Sequence, residues 1–578
     1  MKRIVIVFVA LALLLGGNQS VAGDSSPQDW DASAHYIIFE MDGEDLVTVQ
    51  SHYLVTLSAP LVSLTSEEIE TAFGAPNRNA DLLGVRLLSA TSETVFQNLV
   101  QVPVWLRGEF HGEELESQIE GHFFALDPKT FVVRVPVIPG ATLQILNAIG
   151  EVLTAFDLDS LPVDALPALA RSAAPISGDR SGPPGNRVDL LIMGDGYHAS
   201  QQTQFMTDAS TLHTNFFNIT PLSDYAGYFN VTYLFTPSLE SGADHPHLNP
   251  ACPPGDLTCC TDPAMGMDPL AGTFKNTAFD ARYCAQNIHR LLVVDVGKVF
   301  AAAAVMPDWD TILVMVNDTT YGGSGGALAT VSTHSLAVDI AQHEFGHTFG
   351  LLADEYDTAY PGYPACSDIS GGSPCEDNVT DETVRAQIKW APWILPTTPV
   401  PTVPEWDPGY AAHVGLFQGA RYQPTTMYRS GQLCLMQSLG QPLCQVPSQS
   451  IVLRLYQGGW GVPWSGINMI EPGLIQPPVS SVSLGTGEQM VFHAVLLYPK
   501  VPPLPRMDWF VDGVPVLNGS QTFTYTPGRS DVGSHTVSLV VMDLSPHVHP
   551  AMTGGALTFQ QQWTVQVTVP NYLPFVTH

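Results

Sequence analysis

From about residue 29 to 165 the apolar positions alternate with polar ones or fall in short runs that Gly and Pro interrupt. HYIIFEMDG, LVTVQSHYLVTLSA, VFQNLVQVPVWLRGEFHG and FVVRVPVIPG are rich in β-branched and aromatic residues, which suit a pleated, half-buried surface. The pattern predicts an antiparallel β-sandwich over residues 23–168. In LARSAAPISGDRSGPPGNR, residues 169–187, small residues, Pro and Gly replace any period, which predicts a linker. The period then changes. VDLLIMGDGY (188–197) is a continuous apolar run closed by a Gly turn, as in a buried strand, and ASQQTQFMTDASTLHTNFFNI carries apolar residues at helical spacing. WDTILVMVND is a second buried-strand pattern. GGSGGALATVST reads as a flexible turn into an edge strand at about Ala327–Thr333, a place where an extended peptide can add by strand pairing. SLAVDIAQHEFGHTFGLL reads as one long helix. This alternation predicts an α/β unit over residues 188–465. Alternating strands return in QMVFHAVLLY, MDWFVDGVPV, QTFTYTPG, HTVSLVVMDL and QQQWTVQVTVP, spaced as in an immunoglobulin-like sandwich over residues 466–578.

The chain start adds a compartment. Lys2 and Arg3 precede an apolar run from Ile4 to Leu15, and Ser20-Val21-Ala22 offers small residues to a signal peptidase. The run is shorter than the ~20 residues that span a bilayer. Residues 1–22 are therefore expected to be a signal peptide, and the mature chain to be secreted, extracellular or periplasmic, with no membrane span. Eight cysteines, all after that segment, read as disulfides in an exported chain. Proximity favours Cys366 with Cys375 and Cys434 with Cys444; Cys259 and Cys260, being adjacent, are left to Cys252 and Cys284.

Composition narrows the partners. Of 578 residues, 45% are hydrophobic and 13% charged, which fits folded domains rather than extended disorder. The net charge is −33 with only 22 Lys and Arg, which argues against a nucleic acid or an anionic membrane as a partner, since both require clustered positive charge.

The chemistry lies in HEFGHTFGLLADEY, residues 343–356. His343 and His347, four apart on a helix, project from one face and can reach one Zn2+ at ~2.0–2.1 Å. Glu344, beside the first ligand, is then free to act as general base on a water held at the ion. Gly350 is expected to take positive φ and turn the chain back toward the metal. In HExxHxxGxxH the third ligand falls at Ala353, which has no donor. Asp354 and Glu355 both have one; Asp354 is favoured as the nearer, and Glu355 would then orient a histidine. Asp244, His245 and His247 are metal-competent types, but their spacing fits no standard site and the segment reads as a solvated loop. Gly322–Gly326 lacks the Lys and Ser/Thr of a phosphate-binding loop.

Four segments together resemble the IgA-peptidase family of zinc metallo-endopeptidases: NRVDLLIMGDGY (186–197), YFNVTYLFTPSLESGADHP (228–246), VMVNDTTYGGSGGALATVST (314–333) and HEFGHTFGLLADEY. GARYQPTTMYRSGQLCLM (419–436) is a weaker fifth. The resemblance implies a zincin-like (metzincin-like) catalytic domain with His343, His347 and Asp354 around Zn2+ and Glu344 as base. It further implies a methionine turn at Met436 and an oxyanion-stabilising role for Tyr428, although Ser430 stands where the family often has Pro. The expectation is a multidomain secreted endopeptidase, an α/β catalytic domain flanked by two β-sandwiches, acting on protein or peptide substrates. The alternative is a non-catalytic surface-binding protein whose middle domain holds a structural zinc. Intact Glu344 separates them, because a purely structural site has no use for a base.

Overall fold

The apolar runs of the middle of the chain become the interior of a six-stranded sheet. Its order is Ala174–Ser177, Phe229–Phe235, Val188–Asp195, Thr311–Val316, Ala329–Ser332, Gly323–Ser324. The four inner strands run parallel and the two outer ones antiparallel to their neighbours. Parallel strands carry cover on both faces, which is why Leu190, Leu191, Ile192 and Met193 are all buried without alternation. Helices Gln202–Phe216 and Ala337–Thr348 pack on one face through Phe205, Leu212, Ile340 and Phe345, and helix Val296–Ala303 covers the other through Val299 and Phe300. The computed structural model describes residues 32–74, 80–111, 119–167, 174–359, 363–370, 373–404, 406–458 and 466–569. The expected signal peptide lies outside them.

Four expectations change here. Residues 174–177, read as linker, form an edge strand of the central sheet. Ala329–Ser332 is an inner strand, and the edge toward the site is Gly323–Ser324. Two residues show no period, and this strand is pressed so close that a Cβ on Gly323 would lie 2.9 Å from Thr330 O. The helix also ends earlier than read, at Thr348, where Phe349 N donates to Phe345 O. Leu351, not Gly350, takes the left-handed conformation, at φ 52°. Gly350 serves a different need, since a Cβ there would sit 2.7 Å from Gly346 O.

Before this unit, sheets Val47–Thr56/Ser33–Met41/Lys129–Pro136 and Thr94–Pro103/Ala80–Leu88/Thr142–Leu146/Val152–Asp157 share a core of Phe39, Val85, Phe96, Phe131, Val133 and Leu143. A separate two-stranded hairpin, Trp105–His111 with Ile119–Ala125, leaves this body for the central region. After the central unit, a three-stranded and a five-stranded sheet enclose Phe492, Trp509 and Trp563. The chain is thus multidomain and β-rich, with several sheets and few helices.

Both ends are docked on the middle. Tyr36 Oη donates to Phe300 O at 2.9 Å, and the Arg134 guanidinium stacks on Trp309 at 4.3 Å. On the other side Tyr225 and Tyr456 both donate to Asp543 Oδ2, at 2.6 and 2.7 Å, and Arg187 pairs with Glu471. Disulfides join Cys252–Cys259, Cys260–Cys284, Cys366–Cys375 and Cys434–Cys444, which fits an extracellular protein. Among the described residues no helix is long and apolar enough to cross a membrane.

Candidate metal centre

Helical spacing sets His343 and His347 one turn apart on one face of Ala337–Thr348, and each ring is fixed from behind. His343 Nδ1 donates to Leu435 O at 3.0 Å, and His347 Nδ1 donates to Leu352 O at 2.7 Å. Because a carbonyl only accepts, these bonds place the proton on Nδ1 and leave each Nε2 with a lone pair. The two Nε2 atoms face each other at 2.9 Å, and each is 3.2 Å from Asp354 Oδ1. Here the three candidate ligands come together.

The loop after the helix delivers Asp354. Asn378 clamps it: Ala353 N donates to Asn378 Oδ1 at 2.9 Å, and Asn378 Nδ2 donates to Ala353 O at 2.8 Å. Arg421 N holds the next carbonyl, Asp354 O, at 3.0 Å, and Glu355 N donates to Met436 O at 2.8 Å. Met436 lies directly beneath the helix, close enough that a Cβ on Gly346 would meet its Sδ at 2.6 Å. Tyr356 stacks on the His343 ring at 6.1 Å.

Does this donor set fit a zinc ion? Three acceptors converge, and a single proton among them would serve one pair while the third atom faced a lone pair. A cation serves all three. Tetrahedral ligands at zinc distances lie about 3.3 Å apart, close to the observed spacings. Electrostatics agrees. Burial holds the His347 ring below its ordinary value, with Asp354 opposing and Arg107 adding to the depression. The residues fit.

Glu344 follows His343 on the helix and points to the sheet edge, where a side chain on Gly325 would overlap its carboxylate. The base candidate therefore lies against the Gly325 backbone. His343, Glu344 and Asp354 are 0% exposed and His347 is 1% exposed. A cavity of about 190 Å³ reaches His347 between Pro103, Trp105 and Arg107 on one side and Leu328 and Phe349 on the other.

Residues 176–252 and 259–408 match the model of the IgA Peptidase M64 family. Over those residues the chain is similar to the M64 peptidases. M64 peptidases are metallopeptidases, so the match and the candidate metal group point the same way. No curated protein matches the chain. Among solved structures, the fibronectin(III)-like modules of Clostridium thermocellum CbhA are 16% identical over 16% of this chain and 92% of that one, with a TM-score of 0.11. A nucleoside hydrolase-related hypothetical protein from Saccharophagus degradans is 10% identical over 46% of this chain and 65% of its own, with a TM-score of 0.15. A β-glucuronidase from Parabacteroides merdae is 8% identical over 94% and 65%, with a TM-score of 0.14.

The M64 match contains His343, Glu344, His347 and Asp354, whereas Tyr428 and Met436 lie beyond it. Tyr428 does not join the group. It packs with Ile388, Trp390, Ile394 and Leu416, on the strand face opposite Met427, which packs with Ala353. Strand alternation is the cause, since neighbouring side chains point to opposite faces. Glu355 does not take the role of orienting a histidine, which the two backbone carbonyls perform. It accepts instead from Asn378 Nδ2 at 3.0 Å, and burial pushes its carboxyl up to about 7. Asn378, Tyr356 and Gly325 escaped the sequence reading. Tyr356 and Gly325 stood inside segments already singled out, while Asn378 gave no signal.

His245 is not in a solvated loop. It is fully buried, with Nδ1 donating to Asp268 at 2.8 Å and Nε2 to Asp318 at 3.0 Å, while His289 Nε2 donates to Asp268 at 2.9 Å. His247, two residues on, is exposed.

Proposed function

We propose that the chain is a secreted zinc-dependent endopeptidase. His343, His347 and Asp354 hold the ion, and Glu344 is the general base. The proposed order is a signal peptide (1–22), an N-terminal β-sandwich (23–168), a zincin-like catalytic domain (188–465) and an immunoglobulin-like sandwich (466–578). One observation carries the reading: three buried acceptors converge beside a carboxylate that itself abuts the strand edge. Zinc bound there would acidify water and polarise the scissile carbonyl.

The chain's own groups do the rest. Glu344 takes a proton from the attacking water and hands it to the departing amine nitrogen, a role open to a carboxylate beside the ligands but not among them. Gly325, whose backbone lies against Glu344, would present its N–H and C=O to an extended substrate that takes the place of Arg107 there. Leu435 O and Leu352 O keep the imidazole tautomers correct, so the two rings present lone pairs at every turnover.

The alternative, a binding protein with a structural ion, draws on the near-complete burial of the centre. Glu344→Gln separates the two. The variant should keep zinc and fold yet cleave a quenched peptide library about 10²–10⁴ times more slowly than wild type. Equal inertness of wild type and variant, with zinc bound and the centre opened, would favour the structural ion.

A further inference from the structure

The candidate ligands are no more than 1% exposed, so what covers them matters. Part of the cover comes from outside the central region, from the hairpin Trp105–His111/Ile119–Ala125. Arg107 N donates to Gly325 O at 2.9 Å, and Gly325 N donates to Arg107 O at 3.0 Å. That reciprocal pair is one rung of an antiparallel ladder, made to the very residue that lies against Glu344.

Side chains on the two hairpin strands alternate between two catalytic-side surfaces. Phe123 is buried in the central core, edge-on to Tyr363 at 4.8 Å and to Tyr422 at 5.5 Å. Arg107, its cross-strand partner, lies over the Phe123 ring at 5.1 Å and is 4% exposed. Leu106 and Phe124, also paired, face the other way against Ala285 and Leu291. The hairpin is thus clasped on both faces, and its backbone occupies the N–H and C=O of Gly325.

We propose that this hairpin is a built-in pseudosubstrate: it fills the strand-pairing position at Gly325 and keeps the peptidase latent until it withdraws. The inference rests on the endopeptidase reading. It does not require the N-terminal body to unfold, because the hairpin is a two-stranded sheet of its own, outside both sheets of that body. Isolated hairpins are marginal in water, so its order derives from docking and is given up with it.

The test uses the zinc-loaded full-length protein and two variants, Phe123→Asp and, should that fold poorly, Phe123→Ala. Three readouts are taken: amide hydrogen exchange at Arg107 and Gly325, the rate at which a chromogenic chelator captures the zinc, and cleavage of a quenched peptide library per bound zinc. Phe123→Asp should raise all three at least tenfold, and Phe123→Ala should raise them by less. If exchange reports a released hairpin while zinc capture stays at the wild-type rate, the hairpin does not guard the centre and the proposal is overturned. Wild type already cleaving at the variants' rate overturns it equally. Faster zinc capture with no peptide cleaved upholds the plug and sinks the endopeptidase reading instead.

Discussion

Around His245, both ring nitrogens meet carboxylates; around His343 and His347, the outer nitrogens meet backbone carbonyls and the inner ones meet each other. The residue types are nearly the same, histidines with aspartates, all in the central region. Their proton inventories differ. At His245 each contact pairs a donor with an acceptor, so a protonated ring between Asp268 and Asp318 satisfies the cluster from within. At His343 and His347 the donors are spent on Leu435 O and Leu352 O, and three acceptors are left facing one another. The first arrangement is a buried ion cluster that ties the 244–245 segment to the ends of neighbouring loops. The second is an arrangement that a bound cation would complete. A list of histidines and aspartates does not tell these apart; the partner of the far nitrogen does.

The largest effects should come from removing one member of each cluster. His343→Ala should abolish stoichiometric zinc binding, measured by elemental analysis after dialysis, because two remaining donors do not make a closed site. Asp268→Ala should leave zinc content intact and instead destabilise the protein by about 3–5 kcal/mol in denaturant unfolding, since it leaves a buried imidazolium short of a partner. Zinc lost from Asp268→Ala and kept by His343→Ala would reverse the assignment.

A smaller effect tests how the open cluster is held. Asn378 closes two hydrogen bonds on the Ala353 backbone, next to Asp354, and a third on Glu355. Asn378→Ala should therefore weaken zinc binding by about 10–100-fold, measured by competition with a chelator of known affinity. Unchanged affinity would mean that Arg421 N and Met436 O suffice to place Asp354.

These contrasts also explain what the sequence could and could not disclose. HExxH encodes a helix face, and helix geometry is local, so His343, Glu344 and His347 were legible from spacing alone. Asp354 was legible as one of two neighbouring carboxylates, because the position one residue earlier holds Ala353. The buried strands were legible because parallel strands read as continuous apolar runs. The two-residue edge Gly323–Ser324 was not, since pairing there is backbone chemistry and glycines carry no pattern. His245 looked like loop because its burial depends on Asp268 and Asp318, 23 and 73 residues away. Tyr428 was assigned by resemblance, and the alternation of its strand turns it toward Trp390 instead. The hairpin read as one more pair of strands; only the tertiary structure carries it to Gly325.

The smallest predicted effect is a pH dependence, and its sign follows from the inventory. Burial would lower the His245 imidazole, but the hydrogen bonds it donates to Asp318 and Asp268 outweigh it and raise the group above its ordinary value. Burial would likewise raise the two carboxyls, yet the His245 hydrogen bond holds both below theirs. A raised histidine stabilises fully below its unfolded pKa and loses that contribution as pH climbs through the folded one. A depressed carboxyl stabilises above its unfolded pKa and loses that contribution as pH falls through the folded one. The advantage of wild type over His245→Gln should therefore be greatest between about pH 4 and pH 6.5, the ordinary values of the two residue types, and decline on either side. Melting temperatures of the two proteins at saturating zinc, compared pH by pH, read this directly. A gap that widens steadily toward alkaline pH would mean that His245 is neutral in the fold and that the ion cluster does not exist.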